Sequence, residues 1–250
     1  MKMIINIASK EIKSFFVTPM GWIILALITA AFGTYYLEGV NSYFEVMSGA
    51  IRPAERVGVT IYVGQTVYGA AFFLMLFAVP LMSMRLISEE RRQQTLPFLF
   101  SAPVSIVEIV LGKFFGLFAF LALMVVYIFL MLSTLNIWAD IDFGYLFSNT
   151  FGLLLLVGSF AAIGIYFSSL TSQPIIAAIL SFIFAFLLLG LESYFASQPN
   201  HWFHHVSLLK HFQTFSRGVI SSKDIIYFLL FISTFIVLTI RRLDADRLRG

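Results

Sequence analysis

Residues 143–191 read FGYLFSNTFGLLLLVGSFAAIGIYFSSLTSQPIIAAILSFIFAFLLLGL, and this stretch contains no Asp, Glu, Lys, Arg or His. Roughly 20 helical residues cross a hydrocarbon core about 30 Å thick, so the stretch is too long for one crossing. The polar run SSLTSQP at 168–174 divides it, and Pro174 suits the first turn of a new helix, where a missing N–H costs nothing. We therefore predict two membrane-spanning helices here.

The whole chain carries the same apolar signal. Of 250 residues, 60% are hydrophobic and 12% are charged, and the mean hydropathy is +0.93. A soluble domain of this size could not bury so much apolar surface. We predict an all-α polytopic membrane protein, a single domain over 1–250 with six transmembrane helices. The predicted spans are 20–37, 62–85, 106–136, 145–169, 174–191 and 225–240.

The distribution of cations predicts the orientation of these spans. With the N-terminus inside, the segments on the inner side hold 11 of the 16 Lys and Arg residues. The loop between the third and fourth spans carries only Asp140 and Asp142 as charged residues. By the positive-inside rule both chain ends are predicted to be cytoplasmic. Because the cations are scattered at span ends and form no patch, we expect no nucleic-acid partner.

Two further segments are predicted to be helical. Apolar residues from Ile4 to Phe16 recur every three or four positions within 1–19, which predicts an amphipathic helix on the membrane surface, ended by Pro19. Residues 192–223 contain too many apolar residues, among them Trp202 and Leu208, for a simple loop. We predict one or two interfacial or re-entrant helices there, on the outer side.

The predicted spans lack the residues that ion-driven transport usually needs. Proton- or ion-coupled carriers and pumps keep ionisable side chains inside the membrane, and the apolar cores here contain none, which disfavours an ion-coupled secondary carrier. Polar candidates for lining a path are Gln65, Ser133, Asn136 and Ser159. The Gly112-Lys113 pair lacks the other residues of a phosphate-binding loop, so this chain binds no ATP of its own and active transport would take its energy from a partner.

Metal and thiol chemistry have little support in the sequence. The chain has no cysteine, and its four histidines all lie between His201 and His211. His201 and His205 would share one face of a helix, which makes them weak candidate metal ligands. No acidic ligand accompanies them, and histidines at a membrane interface need no metal. We predict no metal site and no catalytic residues.

The longest charged connection is the cytoplasmic segment 86–105, between the second and third spans. It begins with charged residues around Glu89 and continues with apolar ones around Phe98. This order predicts a short helix at the membrane surface that offers a mixed face to a partner in water. A cluster of charges that only fixes the topology is the alternative interpretation.

The residues from Met84 to Lys113 resemble a known family. Glu-Glu-Arg-Arg at 89–92, Thr-Leu at 95–96, Ala-Pro-Val-Ser at 102–105 and Leu-Gly-Lys at 111–113 are similar to the signature of ABC-2 type permeases, the membrane subunits of type V ABC exporters. The resemblance covers the whole chain, and the segment from His211 to Phe228 is most similar to the gliding-motility-type group. Gln94 stands where the family commonly has Gly, and Pro97 where it commonly has Glu.

The resemblance implies a specific assembly in a bacterial inner membrane. The chain would be a half-transporter with an N-terminal elbow helix, and it would pair with a second permease copy or a paralogue. Two copies of an ABC ATPase subunit would bind ATP and Mg, and membrane lipid and an extracytoplasmic auxiliary protein are further expected partners. The residues expected to contact the ATPase are Glu89, Glu90, Arg91, Arg92, Thr95 and Leu96. A copper-maturation-type ABC permease and an ion-coupled carrier remain the alternatives.

Overall fold

A computed structural model describes residues 2–49, 58–95, 104–195 and 207–249, including all their side chains except those of 191–195 and 249. The regular structure in these ranges is entirely helical. Its α-helices are α1 (Lys2–Val17), α2 (Pro19–Met47), α3 (Val59–Ser83), α4 (Arg85–Arg92), α5 (Ile106–Ser133), α6 (Phe143–Leu170), α7 (Pro174–Phe195), α8 (Leu208–Ser216) and α9 (Ser222–Arg249). A 3₁₀ turn at Thr134–Ile137 continues α5.

The predicted all-α polytopic fold is confirmed. By length and composition, five stretches of the described chain could cross a membrane: α2, α3 together with α4, α5 with its 3₁₀ turn, α6 and α9. The sixth predicted span coincides with α7, which is apolar over Pro174–Gly190. With 22 residues α7 is about 33 Å long, which matches the thickness of a hydrocarbon core.

Contacts between the two chain ends support an even number of crossings. Helix α1 and the last turns of α9 both form ion pairs in one cluster with α4, so they lie at the same end of the bundle. A chain that leaves and returns to one side of a membrane crosses it an even number of times. Six crossings, with α7 as the sixth, fit this arrangement, and the number of spans stays a prediction. We call the end formed by α1, α4 and residues 241–249 the charged end.

Helix α6 lies at the centre of the bundle and contacts α3, α4, α5, α7, α8 and α9. Its glycines permit this close packing. A Cβ on Gly152 would lie 2.5 Å from Cβ of Phe215, and a Cβ on Gly164 would overlap the Ser83 side chain. Small residues at helix contacts let backbones approach closely in a membrane, where no hydrophobic effect drives helices together.

The first two helices meet at a sharp elbow, and the predicted amphipathic helix over 1–19 is confirmed as α1. Pro19 is the first residue of α2. A Cβ on Gly21 would overlap the Phe15 carbonyl oxygen, so the turn requires glycine at this position. The Trp22 indole N–H donates to the Phe16 carbonyl at 2.7 Å and closes the corner.

Helix α1 packs along α5 through two glycines. A Cβ on Gly112 would lie 2.6 Å from Cβ of Ile7, and one on Gly116 would lie 2.6 Å from Cβ of Glu11. These two glycines are spaced four residues apart and face the same side of α5. They place the backbone of α1 directly against the start of the third span.

Two helices continue past the predicted span limits. Helix α2 extends to Met47, beyond 20–37, and α9 runs from Ser222 to Arg249, beyond 225–240. The prediction ended each span at a charged residue, but Glu and Arg are good helix formers, so the helices continue where the apolar run stops. Between α6 and α7 the turn is shorter than predicted, because 168–170 belong to α6.

The segment predicted to be interfacial contains one described helix, α8. Its apolar residues Leu208, Phe212 and Phe215 are buried against α6 and the neighbouring helices. Gly218 ends it with φ +80°, and the Val219 N–H donates to the Thr214 carbonyl at 3.3 Å, the pattern of a glycine-terminated helix. Residues 196–206 lie outside the described part of the chain.

Candidate functional site

The short helix α4 begins where α3 is broken. Pro80 lies in the last turn of α3, and the helix is interrupted at Met84. The hydroxyl of Ser168, from α6, accepts from the N–H groups of Ile87 at 3.1 Å and Ser88 at 3.0 Å, and it donates to the Met84 carbonyl at 2.9 Å. Insertion of a side chain into the backbone ladder is a known cause of helix kinks.

Ser168 therefore acts as a helix cap supplied by another helix. The first N–H groups of a helix have no partner within it, and burial without a partner would cost free energy. Ser168 is fully buried, and so is Ser88. One hydroxyl thus joins the end of α3, the start of α4 and the end of α6.

A buried lysine joins α4 to two other helices. Lys113 lies about 10 Å from the first residue of α5, and its side chain is only 3% exposed. Its ammonium donates to Glu11 Oε1 of α1 at 2.8 Å and to Glu90 Oε1 of α4 at 2.7 Å. We call Glu11, Lys113 and Glu90 the buried triad. Its formal charge is −1, and removal of Lys113 would leave two carboxylates at this position without a compensating cation.

The last turns of α9 hold α4 from another side. Arg91 of α4 pairs with Asp246, whose other carboxylate oxygen lies 3.6 Å from Arg242. Arg91 and Asp246 are both partly buried, 22% and 19% exposed. Helix α4 is thus fixed by polar contacts to α5, α6 and α9, and through Lys113 it is linked to α1.

Gln94 ends α4 in the left-handed conformation, with φ +56°. The Thr95 N–H donates to the Glu90 carbonyl at 2.9 Å and the Gln94 N–H donates to that of Arg91 at 3.2 Å. This pair of bonds is the Schellman motif, whose left-handed residue is usually glycine. The position at which Gln94 departs from the family pattern is therefore one that favours glycine for a physical reason.

The six residues predicted to contact an ATPase fall into three groups. Glu90 and Arg91 point into the chain and are paired there. Arg92 and Thr95 are exposed, and Glu89 is 41% exposed. Leu96 lies outside the described residues. Contact of this surface with an ATPase stays a prediction, and its outward members are Glu89, Arg92 and Thr95.

No local pattern in the sequence indicates the partners of α4. The cation count places Lys113 among the cations at span ends, but Lys113 stands inside an apolar run, and this feature indicates a buried role. Asp246 lies beyond the last predicted span, 225–240, and Ser168 lies in the polar run 168–174. Their roles depend on which helices are neighbours in space.

The polar residues considered for a transport path do not converge. Gln65 and Asn136 are exposed. Ser133 donates to the Phe129 carbonyl at 2.7 Å and Ser159 to that of Leu155 at 3.0 Å, both within their own helices. Within the described residues, these four side chains form no shared lining.

The histidine segment has one described member. His211 Nδ1 lies 2.5 Å from Asp224 Oδ1, and its ring stacks on Tyr227 with 3.9 Å between centroids. The described ranges contain no group of three His, Asp or Glu side chains able to hold a metal ion. His201 and His205, the weak candidate ligands, lie outside those ranges.

Comparison with protein families identifies the family of this chain. A family model described as "ABC-2 family transporter protein" matches residues 5–246, nearly the whole chain. The match includes α4 and all the helices that hold it. No curated protein matches the sequence.

Proposed function

Because the chain belongs to the ABC-2 transporter family, we propose that it is the permease subunit of an ATP-driven exporter in the bacterial inner membrane. The family provides the membrane component of ABC transporters without an ATPase of its own, so its partner is a separate ABC ATPase. In the proposed assembly two ATPase subunits carry ATP and Mg. A second permease copy or a paralogue completes the membrane domain.

The observation that supports this proposal is the attachment of α4. A charged helix of eight residues follows a span that is largely buried, and polar contacts fix it to three other helices and, through Lys113, to α1. Such a helix cannot move independently of the bundle. Force applied to its outward residues would reach α1, α5, α6 and α9 together.

In the proposed mechanism, ATP-driven closure of the ATPase subunits displaces α4. Through Ser168 and the buried triad the displacement passes to the centre of the bundle and to the elbow. Packed helices respond to such a displacement as rigid bodies, because closely packed cores do not deform continuously. The arrangement of the two permease subunits then changes and opens a path away from the ATPase. The charged end faces the cytoplasm in this scheme, as the positive-inside rule predicts.

The proposal is tested by isolating the complex from native membranes through a tag on this chain. The expected result is co-purification of an ABC ATPase whose ATP hydrolysis is sensitive to the permease. Charge reversal at two outward positions, Glu89→Lys with Arg92→Glu, is expected to reduce ATPase recovery at least about tenfold, because complementary charges that become like charges cost several kcal/mol.

A matched control is Glu45→Lys, an exposed glutamate at the far end of α2. This variant should recover as much ATPase as the unchanged chain. Undiminished recovery with the double reversal would show that α4 is not the docking surface. Absence of any ATPase from the purified complex would contradict the proposed function itself.

A further inference from the structure

A cleft of about 740 Å³ lies at the charged end, between α4 and the turn that joins α6 to α7. The turn contributes Ser172, Gln173 and Pro174 to its lining. Glu90 does not line the cleft, because it is bound to Lys113 on another side of α4. The charged residues that do line it are three arginines and one glutamate: Arg85, Arg91, Arg92 and Glu89. A cleft lined mainly by cations favours an anionic ligand.

Two of these arginines are accessible from the cleft. Arg85 and Arg92 are the first and last residues of α4, and both are exposed, Arg85 with 49% of its side chain. Positions seven apart share one face of a helix, so both guanidinium groups lie on the same side of α4. Arg92 forms no ion pair with any described residue. An anionic group in the cleft can therefore reach both arginines without breaking a buried contact.

The cations of the cleft outnumber the carboxylates that pair with them. The arginine that begins α4 lies 4.0 Å from Glu89, so these two charges balance. Arg91 shares the carboxylate of Asp246 with Arg242, which leaves one positive charge among these three residues. Arg92 adds another. The cleft thus keeps an excess of two positive charges after its own ion pairs are counted, and the ligand that offsets them is an anion.

The cleft continues into an apolar face of α7. Ile175 lines the cleft and is 70% exposed. The exposed apolar residues that follow it on the same side of α7 are Ile179, Ile183 and Phe186. Because α7 is a predicted span that begins at Pro174, the cleft lies where the hydrocarbon core begins. Basic pockets between transmembrane helices at the cytoplasmic boundary bind the headgroups of anionic lipids.

We propose that this cleft binds an anionic phospholipid, with its phosphate between Arg85 and Arg92 and an acyl chain along the face of α7 that begins at Ile175. In the orientation that the positive-inside rule predicts, this lipid belongs to the cytoplasmic leaflet, whose surface is negative. The headgroup offsets the excess positive charge and joins α4 to the start of α7. The lipid site is separate from the path for transported substrate.

Native mass spectrometry of the purified full chain in a neutral detergent tests the proposal. Phosphatidylglycerol and phosphatidylcholine with identical acyl chains are added at equal concentration, and glycerol phosphate without chains is added separately. We expect phosphatidylglycerol to bind at least about fivefold more tightly, the ratio that a single cation near a membrane surface provides. Glycerol phosphate should not displace the bound lipid. Equal binding of the two lipids would overturn the proposal, and displacement by glycerol phosphate would show that the cleft takes a free phosphate instead of a lipid.

Single substitutions assign the lipid preference to the cleft. Arg85→Gln and Arg92→Gln should each lower the preference for phosphatidylglycerol about two- to fivefold, because each removes one accessible cation. Glu89→Gln should raise the preference by a similar factor, because it removes the carboxylate between the two arginines. Arg217→Gln is the matched control. It removes an exposed arginine between α8 and α9, away from the cleft, and should leave the preference unchanged.

The outcomes of these variants decide between the lipid and other occupants. All four side chains are partly or fully exposed, so the variants should fold, and melting temperatures check this. An unchanged preference in both arginine variants, or an equal loss in Arg217→Gln, would refute the site. Loss of ATPase recovery with Arg85→Gln, without any lipid preference, would assign the cleft to an acidic segment of the ATPase instead. The lipid measurements need no ATPase, so their failure is distinct from failure of the proposed transport function.

Discussion

At the scale of single residues, one hydroxyl, that of Ser168, holds the start of a neighbouring helix in place. Its hydroxyl satisfies two buried N–H groups of α4 and one carbonyl at the break after α3. Serine in a membrane helix usually bonds to its own backbone, as Ser159 does. Ser168 instead bonds to a different helix, so its removal affects a neighbour more than its own helix.

We predict that Ser168→Ala lowers the free energy of unfolding by about 2–4 kcal/mol, because two buried donors lose their acceptor. The measurement is the thermal midpoint of the purified protein. Ser159→Ala is the matched control, since it removes another fully buried hydroxyl that bonds within its own helix. Equal losses in the two variants would contradict the capping role, and Ser168→Thr should retain most of the stability.

For Gln94 we predict a substitution that raises the stability of the protein instead of lowering it. A side chain in the left-handed region costs about 1–2 kcal/mol, and glycine avoids this cost at some expense in chain entropy. We expect Gln94→Gly to stabilise the end of α4 by about 0.5–1 kcal/mol, which should slow hydrogen exchange of α4 amides about two- to fivefold. Gln93, with φ −81°, is the control. Gln93→Gly should bring no stabilisation, and a gain there equal to that of Gln94→Gly would contradict the conformational explanation.

At the scale of helices, the contact between α1 and α5 decides where the elbow lies. Two glycines on α5 allow the backbone of α1 to approach, and the buried triad then joins the two helices to α4. An amphipathic helix on a membrane surface can lie in many orientations. The glycines and the buried charge select one orientation, because only there does Glu11 reach Lys113.

We predict that Gly112→Leu displaces α1 from α5 and costs roughly 1–3 kcal/mol, the range for forcing extra atoms into a packed contact. Limited proteolysis should then cut within α1 before it cuts the spans. Gly69→Leu on α3 is the control, because a Cβ there meets nothing within 4 Å. Proteolysis of α1 at the same rate in both variants would show that the glycine contact does not hold the elbow.

At the scale of the whole molecule, the sequence is a good guide to the helices and a poor one to the contacts between them. Uninterrupted apolar runs and cation bias predict the crossings, since the membrane imposes length and charge rules on each segment separately. The pairing of Lys113 with Glu11 and Glu90 has no such local rule, because its members are 102 and 23 residues apart in the chain. Gln94 lies between these two cases. The sequence shows that the residue departs from the family pattern, and the structure adds the left-handed φ that explains why glycine is common there.

The buried triad also sets a condition on how the chain is made. A ribosome adds roughly 5–20 residues per second, so the 102 residues that separate Glu11 from Lys113 take about 5–20 s to synthesise. During that interval α1 has neither Lys113 as a partner nor the two glycines of α5 against which it packs. Because α1 is amphipathic, it can stay bound to the membrane surface with its apolar residues in lipid. Docking of the first helix is therefore a late event in biogenesis, completed only after the third span has entered the membrane.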